Sequence, residues 1–235
     1  MTGKLYLIPT GLGDNAPLEI LPISIKKIIE SIDVYIVENE KAARKFIKSV
    51  SSGKSQPSLT IHSLNKFTDP LEIPSFLEEC LDGSNVGLLS DAGCPGVADP
   101  GADVVKIAHK KNIKVIPLVG PSSILLAIMS SGMNGQNFAF NGYLPIEKDK
   151  RKTKIKQLEK RSLDENQSQL FIETPYRNNS VLEDLYKTLN ADTKICVACD
   201  LTLATEYIKT QTAKQWKHSK LDIHKRPAIF IIHKD

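Results

Sequence analysis

The chain has 235 residues, of which 41% are hydrophobic and 25% are charged. These fractions are typical of a folded globular protein and exclude a disordered or fibrous chain. No apolar run approaches the roughly 18 residues that a membrane span requires, and the chain opens on a predicted strand rather than a signal peptide. We therefore expect a cytoplasmic protein, whose net charge of +4 neither requires nor excludes a nucleic-acid partner.

Short apolar runs alternate with amphipathic helices through the first half of the chain. This alternation is typical of a parallel sheet whose strands are joined by helices, so the first half predicts a parallel five-stranded sheet. The predicted strands are 4–8, 34–37, 59–64, 86–90 and 114–118. The predicted helices are 23–31, 41–49, 70–81 and a fourth that Asp99 caps, with Pro100 as its first residue.

The second half has a different pattern, since its last three predicted strands have little helix between them. Such spacing favours antiparallel pairs and therefore a mixed sheet. The predicted strands are 138–142, 169–173, 194–201, 206–212 and 227–233. The predicted helices are 124–130, a basic helix after Pro145, and 180–189. We thus expect two α/β domains, 1–118 and 119–235.

The predicted strand 86–90 delivers Asp91 and Gly93 at its carboxyl end, where open α/β sheets bind ligands. Gly93 allows the backbone to approach a bound molecule closely. Asp91 can accept hydrogen bonds from hydroxyl or ammonium groups. The sequence therefore predicts a ligand site at this bend.

A dinucleotide-binding enzyme is an alternative. Gly11-Leu-Gly-Asp-Asn-Ala16 fits the glycine fingerprint, and Glu38 ends the next predicted strand, where that fold places a ribose-binding acid. The fingerprint also needs a helix that begins in the glycine loop. Pro17 and Pro22 interrupt that segment, because a proline inside a helix removes a hydrogen bond and costs about 3 kcal/mol. The pattern therefore favours an irregular glycine loop over a nicotinamide or flavin site.

Two further patterns each allow a functional and a structural interpretation. Cys196 and Cys199 have C-x-x-C spacing, but they fall in a predicted strand, where residues three apart face opposite sides, which favours two structural thiols over a metal site. Lysine and arginine are concentrated in 148–161. That segment is either a phosphate-facing patch or a solvated helix face.

Six motifs occur in a characteristic order along nearly the whole chain. They are Pro9-Thr-Gly-Leu-Gly-Asp14, Ser90-Asp-Ala-Gly-Cys-Pro95, Asp99-Pro-Gly101, Gly120-Pro-Ser-Ser123, Asn141-Gly-Tyr-Leu-Pro145 and Glu173-Thr-Pro-Tyr-Arg177. On these motifs the chain resembles the tetrapyrrole methylase superfamily. Within it, the chain is most similar to the branch that methylates a cytidine ribose 2′-hydroxyl in small-subunit ribosomal RNA.

The resemblance implies two α/β domains with S-adenosylmethionine in the cleft between them, a homodimer, and no metal. Glu38 matches the acid that opens the family's Glu-Asp-Thr-Arg motif, and this match makes it the candidate catalytic residue for orienting or deprotonating a hydroxyl acceptor. The cofactor-binding residues that the resemblance implies are Pro9, Thr10, Gly13, Leu89, Asp91, Ala92, Gly93, Ser122 and Tyr176.

The sequence also departs from the family's motifs. Glu38-Asn-Glu-Lys41 stands where the branch has Glu-Asp-Thr-Arg, and Arg44 is the candidate to replace the missing arginine. Tyr176 stands where the family usually has histidine. The leading hypothesis is a ribosomal RNA ribose methyltransferase. The alternatives are a methyltransferase for a small tetrapyrrole-like or other acceptor, and a non-catalytic dimer that keeps the cofactor cleft.

Overall fold

The computed structural model describes residues 2–235, and Met1, at which the first predicted domain begins, lies outside the described residues. The chain divides after Ser122 into two compact units. Each unit contains one five-stranded sheet, and the predicted α/β class is confirmed. Among the described helices, none combines the length and apolar character that a membrane crossing requires.

All strands of the first sheet are parallel, as predicted. The strands are β1 (Lys4–Ile8), β2 (Val34–Val37), β3 (Thr60–Ser63), β4 (Val86–Leu89) and β5 (Lys114–Pro117). The helices are α1 (Pro17–Ile20), α2 (Ile23–Ser31), α3 (Glu40–Val50), α4 (Glu78–Leu81) and α5 (Ala102–Lys110). The strand order is β3-β2-β4-β1-β5, so β2 and β4 are neighbours and their carboxyl ends meet at one edge.

The central strands of this sheet are buried on both faces. Every residue of β2 and of β4 is buried, which explains why these strands are continuous apolar runs instead of alternating patterns. Leu88 packs into one apolar cluster and Leu89 into another, because successive residues of a strand face opposite sides. Helices thus cover both faces, and the carboxyl edge is left for polar loops.

Two predictions in the first unit are wrong in detail. The expected helix 70–81 is a 3-10 segment, Ile73–Leu77, followed by the single turn of α4, and Pro74 in that segment has no N–H to donate. The expected cap at Asp99 is also wrong. Helix α5 begins at Ala102 after Gly101, whose φ of +132° turns the chain, and no side chain caps it.

The second sheet is mixed, as predicted. Its strands are β6 (Phe138–Tyr143), β7 (Ser168–Ile172), β8 (Lys194–Cys199), β9 (Tyr207–Thr212) and β10 (Ala228–His233). The helices of this unit are α6 (Ser123–Ser131), α7 (Lys148–Glu165), α8 (Asn178–Thr188) and α9 (Ala213–Trp216). In the order β6-β7-β10-β8-β9, the first pair is parallel and the other three pairs are antiparallel.

The core of the second unit lies between the sheet and helices α7 and α8. Phe171 and Phe230 stack there with ring centroids 5.8 Å apart. Cys199 faces this core, whereas Cys196, three residues earlier on β8, is buried on the opposite face, where its thiol is hydrogen-bonded to Thr210. The two thiols therefore occupy the opposite faces that the strand period predicts.

Candidate functional site at the carboxyl edge of the first sheet

The loop after β1 and the loop after β4 are joined by hydrogen bonds. The backbone N–H of Thr10 donates to the carbonyl of Gly93 at 2.9 Å, and its hydroxyl donates to the carbonyl of Ser90 at 3.3 Å. The Ser90 hydroxyl also donates to the Gly93 carbonyl, at 2.8 Å. Gly93 has a φ of +76°, a conformation that favours glycine. The bend predicted to bind a ligand is therefore held in one shape.

The loop after β5 packs against the same pair. A Cβ atom at Gly120 would lie 2.2 Å from Cγ of Pro9, so only glycine allows this approach. The Cys94 thiol donates to the carbonyl of Pro121 at 3.4 Å and thus connects the β4 and β5 loops. Three loops that are distant in sequence form one surface above the strand ends.

A cavity of about 260 Å³ lies beside these loops. Three of the predicted cofactor-binding residues line it: Thr10, Gly13 and Asp91. The lining residues are Thr10, Gly11, Gly13, Asp14, Asn15, Pro17, Ala42, Ala43, Lys45, Phe46, Ser49, Ser90 and Asp91. Pockets for drug-sized ligands usually exceed about 300 Å³, so this cavity has room for part of such a ligand.

Three carboxyl groups meet at the junction of β2 and β4. Glu38 directly follows β2, Asp91 lies just after β4, and Asp99 belongs to the loop before α5. Partial burial, a hydrogen bond to Glu38 and the charge of Glu38 together raise the pKa of Asp99 to about 7. Asp99 therefore exchanges its proton near neutral pH, as a group in acid–base chemistry must.

The pKa of Asp91 is also raised, again by partial burial and by the charge of Glu38. The backbone N–H of Asn39 opposes this increase. The negative potential of this junction favours a cationic ligand over an anionic one.

A second cavity, of about 380 Å³, lies on the other side of the carboxyl groups. Asp99 lines it, together with residues of the loop that follows β3 and of the start of α5. The lining residues are Leu64, Asn65, Lys66, Thr68, Pro70, Ile73, Asp99, Pro100, Gly101, Ala102 and Asp103. Asp91 thus faces one cavity and Asp99 the other, and both interact with Glu38.

The remaining predicted residues lie in varied surroundings. The side chain of Leu89 packs in the core, and Ala92 is exposed beside Asp91. Ser122 is half-buried at the end of the first unit. In the second unit Tyr176 is 69% exposed, and the Nζ atom of Lys225 lies 5.6 Å from its ring centroid. These positions leave the predicted roles of Leu89, Ala92, Ser122 and Tyr176 as predictions.

The sequence prediction missed Asp99 as a candidate functional residue. An aspartate before a proline is a common helix start, and that local pattern gave no reason to place it against Glu38. Arg44, the candidate to replace the missing arginine, donates from Nε to the Glu40 carboxylate at 2.8 Å and from Nη1 to the carbonyl of Gln56 at 2.5 Å. Its guanidinium is therefore engaged on the surface of α3.

The basic segment 148–161 forms most of α7, and its members differ in exposure. Arg151 is buried, and its Nε and Nη2 atoms donate to one oxygen of Asp184 at 2.8 and 2.6 Å. Its Nη1 atom donates to the carbonyls of Pro145 and Ile146 at 3.2 and 2.6 Å. Arg151 is thus a structural residue that joins α7 to α8, and no longer belongs to a candidate phosphate-facing patch.

The residues at the carboxyl edge suit a ligand with positive charge and an amino-acid end. The carboxylate of Asp91 lines the first cavity and can pair with an ammonium group. The bend at Gly93 lies next to it, where a side chain would meet Leu12 at 3.2 Å. S-adenosylmethionine, with its positively charged ammonium and sulfonium groups, fits a site with this negative charge and hydrogen-bond acceptor.

Comparison with known proteins supports the sequence motifs. The family model described as Tetrapyrrole (Corrin/Porphyrin) Methylases matches residues 4–216. A protein of Thermotoga maritima named ribosomal RNA small subunit methyltransferase I is 30% identical over 92% of this chain and 91% of its own length. The protein of the same name in Vibrio cholerae is 27% identical over 87% of this chain and 67% of its own.

The fold also has a counterpart among solved structures. Uroporphyrin-III C-methyl transferase from Thermus thermophilus, complexed with S-adenyl homocysteine, matches with a TM-score of 0.59 and 14% identity. The match covers 99% of this chain and 98% of that one. The two proteins therefore share a fold.

Proposed function

The chain belongs to the family of tetrapyrrole (corrin/porphyrin) methylases, and from this premise we propose that it methylates the ribose 2′-hydroxyl of a nucleotide in small-subunit ribosomal RNA. As a member of this family it is an S-adenosylmethionine-dependent methyltransferase. The names of the Thermotoga and Vibrio relatives support ribosomal RNA of the small subunit as the substrate. The proposed ribosomal substrate also supports a cytoplasmic location, which we propose with it.

The observation that carries the proposal is the contact between Glu38 and Asp99. A ribose hydroxyl must lose its proton when it accepts a methyl group, so the site needs a carboxylate that can take it. Glu38 is the proposed proton acceptor, and Asp99 positions it through their shared hydrogen bond. With its pKa at about 7, Asp99 can lose its own proton at neutral pH as Glu38 gains one.

The two cavities are the proposed binding sites for the two reactants. We assign the cofactor's amino-acid end to the cavity of Thr10, Gly13 and Asp91, and the acceptor nucleotide to the cavity that Asp99 lines. Bound S-adenosylmethionine supplies a methyl group on a positively charged sulfur. The chain's own contribution is to fix the geometry and exclude water, and such positioning contributes several kcal/mol to methyl transfer.

The remaining cofactor contacts are proposals that follow from the family motifs. Pro9 and Gly93 shape the wall of the cofactor site, because each packs into the loops described above. We propose Ser122 and Tyr176 as cofactor contacts on the same ground, the family motifs. A binding measurement with each alanine variant tests these two residues.

We also propose that the enzyme is a homodimer. In the second unit Met129 and Ile146 are 76% and 81% exposed, and apolar side chains of this kind are typical of subunit interfaces. Light scattering coupled to size exclusion gives the mass of the particle. A mass of one chain at all concentrations would contradict the dimer.

Methyl transfer to purified ribosomal subunits tests the function directly. Small subunits from a strain that lacks the gene are incubated with the protein and methyl-labelled S-adenosylmethionine, and the RNA is digested and analysed by mass spectrometry. We expect one labelled 2′-O-methyl nucleoside. Label on a base would contradict the ribose acceptor, and unlabelled RNA would contradict the RNA substrate.

The same experiment separates the alternative acceptors. Parallel reactions contain a tetrapyrrole precursor in place of the subunits. Transfer to the tetrapyrrole alone would favour the small-molecule alternative. Binding of S-adenosylmethionine by calorimetry without any transfer would favour a non-catalytic dimer.

A further inference from the structure

Helix α7 presents its lysines on two different sides. Lys148, Lys152 and Lys156 follow one another at intervals of four residues, so they form one row along the helix. Lys150 and Lys154 lie on the opposite side of the helix from this row. The lysines of segment 148–161 therefore form two separate surfaces of α7. Only the surface of Lys148, Lys152 and Lys156 faces a second helix.

That surface forms a groove between α7 and α8. A cavity of about 280 Å³ lies there, and the row on α7 forms one wall while α8 contributes the other. The lining residues are Lys148, Lys152, Lys156, Glu183, Asp184, Lys187 and Thr188. We name these residues the lysine groove.

The acids of the lysine groove are already engaged. Asp184 accepts both hydrogen bonds from the buried Arg151, and Glu183 pairs with Lys187, its neighbour one turn later on α8. Within residues 2–235 none of the three lysines of the α7 row forms an ion pair. Because Arg151 balances Asp184 and Lys187 balances Glu183, the three lysines of the α7 row remain as uncompensated positive charges.

We propose that the lysine groove binds the phosphate backbone of RNA. Residues four apart on a helix are separated by about 6 Å along the axis, and successive phosphates of a nucleic-acid strand have a comparable separation. A row of three lysines can thus contact consecutive phosphates of one strand. Each contact releases a condensed counterion, which favours binding at low salt.

The lining also indicates the kind of contact. Of the described residues that line the groove, none is aromatic and none is aliphatic, so a base has no ring on which to stack and a lipid chain has no aliphatic side chain to pack against. Lysine provides a point charge without the planar fork that reads a base edge. The groove therefore positions RNA by its backbone and does not select its sequence.

This inference rests on the proposed RNA substrate, and its test is separate from the test of methylation. The groove variant is K148Q/K152Q/K156Q, and the matched control is K150Q/K154Q/R161Q, which removes the same charge from the opposite side of the same helix. Affinity for a labelled fragment of small-subunit ribosomal RNA is measured over a series of salt concentrations. Circular dichroism and thermal unfolding confirm that both variants fold.

We expect the slope of log affinity against log salt to become shallower by roughly two to three units in the groove variant and to change little in the control. Equal slopes in the two variants, or a wild-type protein without affinity for the RNA, would overturn the proposal. If the wild type binds through the groove and transfers no methyl group, the groove is supported and the proposed function fails. If the wild type methylates the RNA and the groove variant binds as the control does, the function is supported and the groove is refuted.

Discussion

The carboxyl group of Glu38 acts directly on that of Asp99 and raises its pKa, although one residue precedes α5 and the other follows β2. The contact exists because β2 and β4 are neighbours in the sheet, so the chain leaving β4 passes the end of β2. Asp99 lines one cavity of the first unit, and Asp91, which also interacts with Glu38, lines another. The pair of Glu38 and Asp99 is therefore the place where substitutions should have the clearest effect on chemistry.

Removing the carboxylate of Glu38 should reduce catalysis and leave cofactor binding largely intact. For E38Q we expect kcat for methyl transfer to fall by about 10²-fold to 10⁴-fold, the usual contribution of a general base. Calorimetry should show only a small loss of affinity for S-adenosylmethionine, because Glu38 does not line the cofactor cavity and acts on it only through its charge beside Asp91. The control is D103N, since Asp103 lines the same cavity as Asp99 and contributes nothing to the raised pKa of Asp99. An equal loss of kcat in D103N would contradict a specific role.

The pH dependence of kcat should show the titration of the Asp99 carboxyl group. With its pKa raised to about 7, loss of the Asp99 proton should appear as a rise or fall in kcat near neutral pH. In D99N this inflection should disappear, because asparagine does not titrate. A D99N profile that keeps the inflection would assign it to another group.

Stability should also depend on pH through Asp99. Its pKa rises from 3.8 to about 7 on folding, so the folded state binds the proton more tightly than the unfolded state. The resulting stabilisation is complete below about pH 4 and is lost as the pH rises through 7. The full shift corresponds to about 4 kcal/mol, and contact with solvent reduces this to about 1–2 kcal/mol.

Urea unfolding of the wild type and D99N measures this effect. We expect the free energy of unfolding of the wild type to fall relative to that of D99N between about pH 4 and pH 7 and to change little above pH 8. D103N serves again as the control and should follow the wild type. Parallel curves for the wild type and D99N would contradict the shift.

The architecture was more predictable than the carboxyl pair. Buried strands such as Val86–Leu89 are continuous apolar runs, and their alternation with helices is a local pattern that predicts a parallel sheet. The order of the strands depends on long-range packing, and no local pattern indicated that Asp99 would meet Glu38. Arg151 was missed for a related reason. Within a run of positive charges, only the packing of α7 on α8 distinguishes the one side chain that faces inward.

Replacing Gly93 by alanine should weaken cofactor binding and stability together. Its φ of +76° costs a residue with a side chain about 1 kcal/mol, and the new Cβ would lie 3.2 Å from Cδ2 of Leu12. The matched control is G96A in the same loop, where φ is +78° but the closest atom, the Ala102 nitrogen, is 3.9 Å away. We expect both variants to lose about 1 kcal/mol of stability. Calorimetry should show weaker binding of S-adenosylmethionine in G93A alone, and equal affinities would contradict a role for Gly93 in shaping the site.

The buried pair of Arg151 and Asp184 should contribute far more to stability than an exposed pair on the same helix. For R151M we expect a loss of about 3–5 kcal/mol, because Asp184 would keep a buried charge without its partner. For R161M, which removes the exposed pair with Glu165, we expect less than about 0.5 kcal/mol.

Urea unfolding of the two single variants and of R151M/D184L gives both comparisons. The double variant should recover part of the loss, since it leaves no unpaired charge in the interior. Similar losses in R151M and R161M would contradict the burial of this pair. Since Arg151 holds α7 against α8, its loss should also weaken RNA binding through the lysine groove, while R161M should leave that binding unchanged.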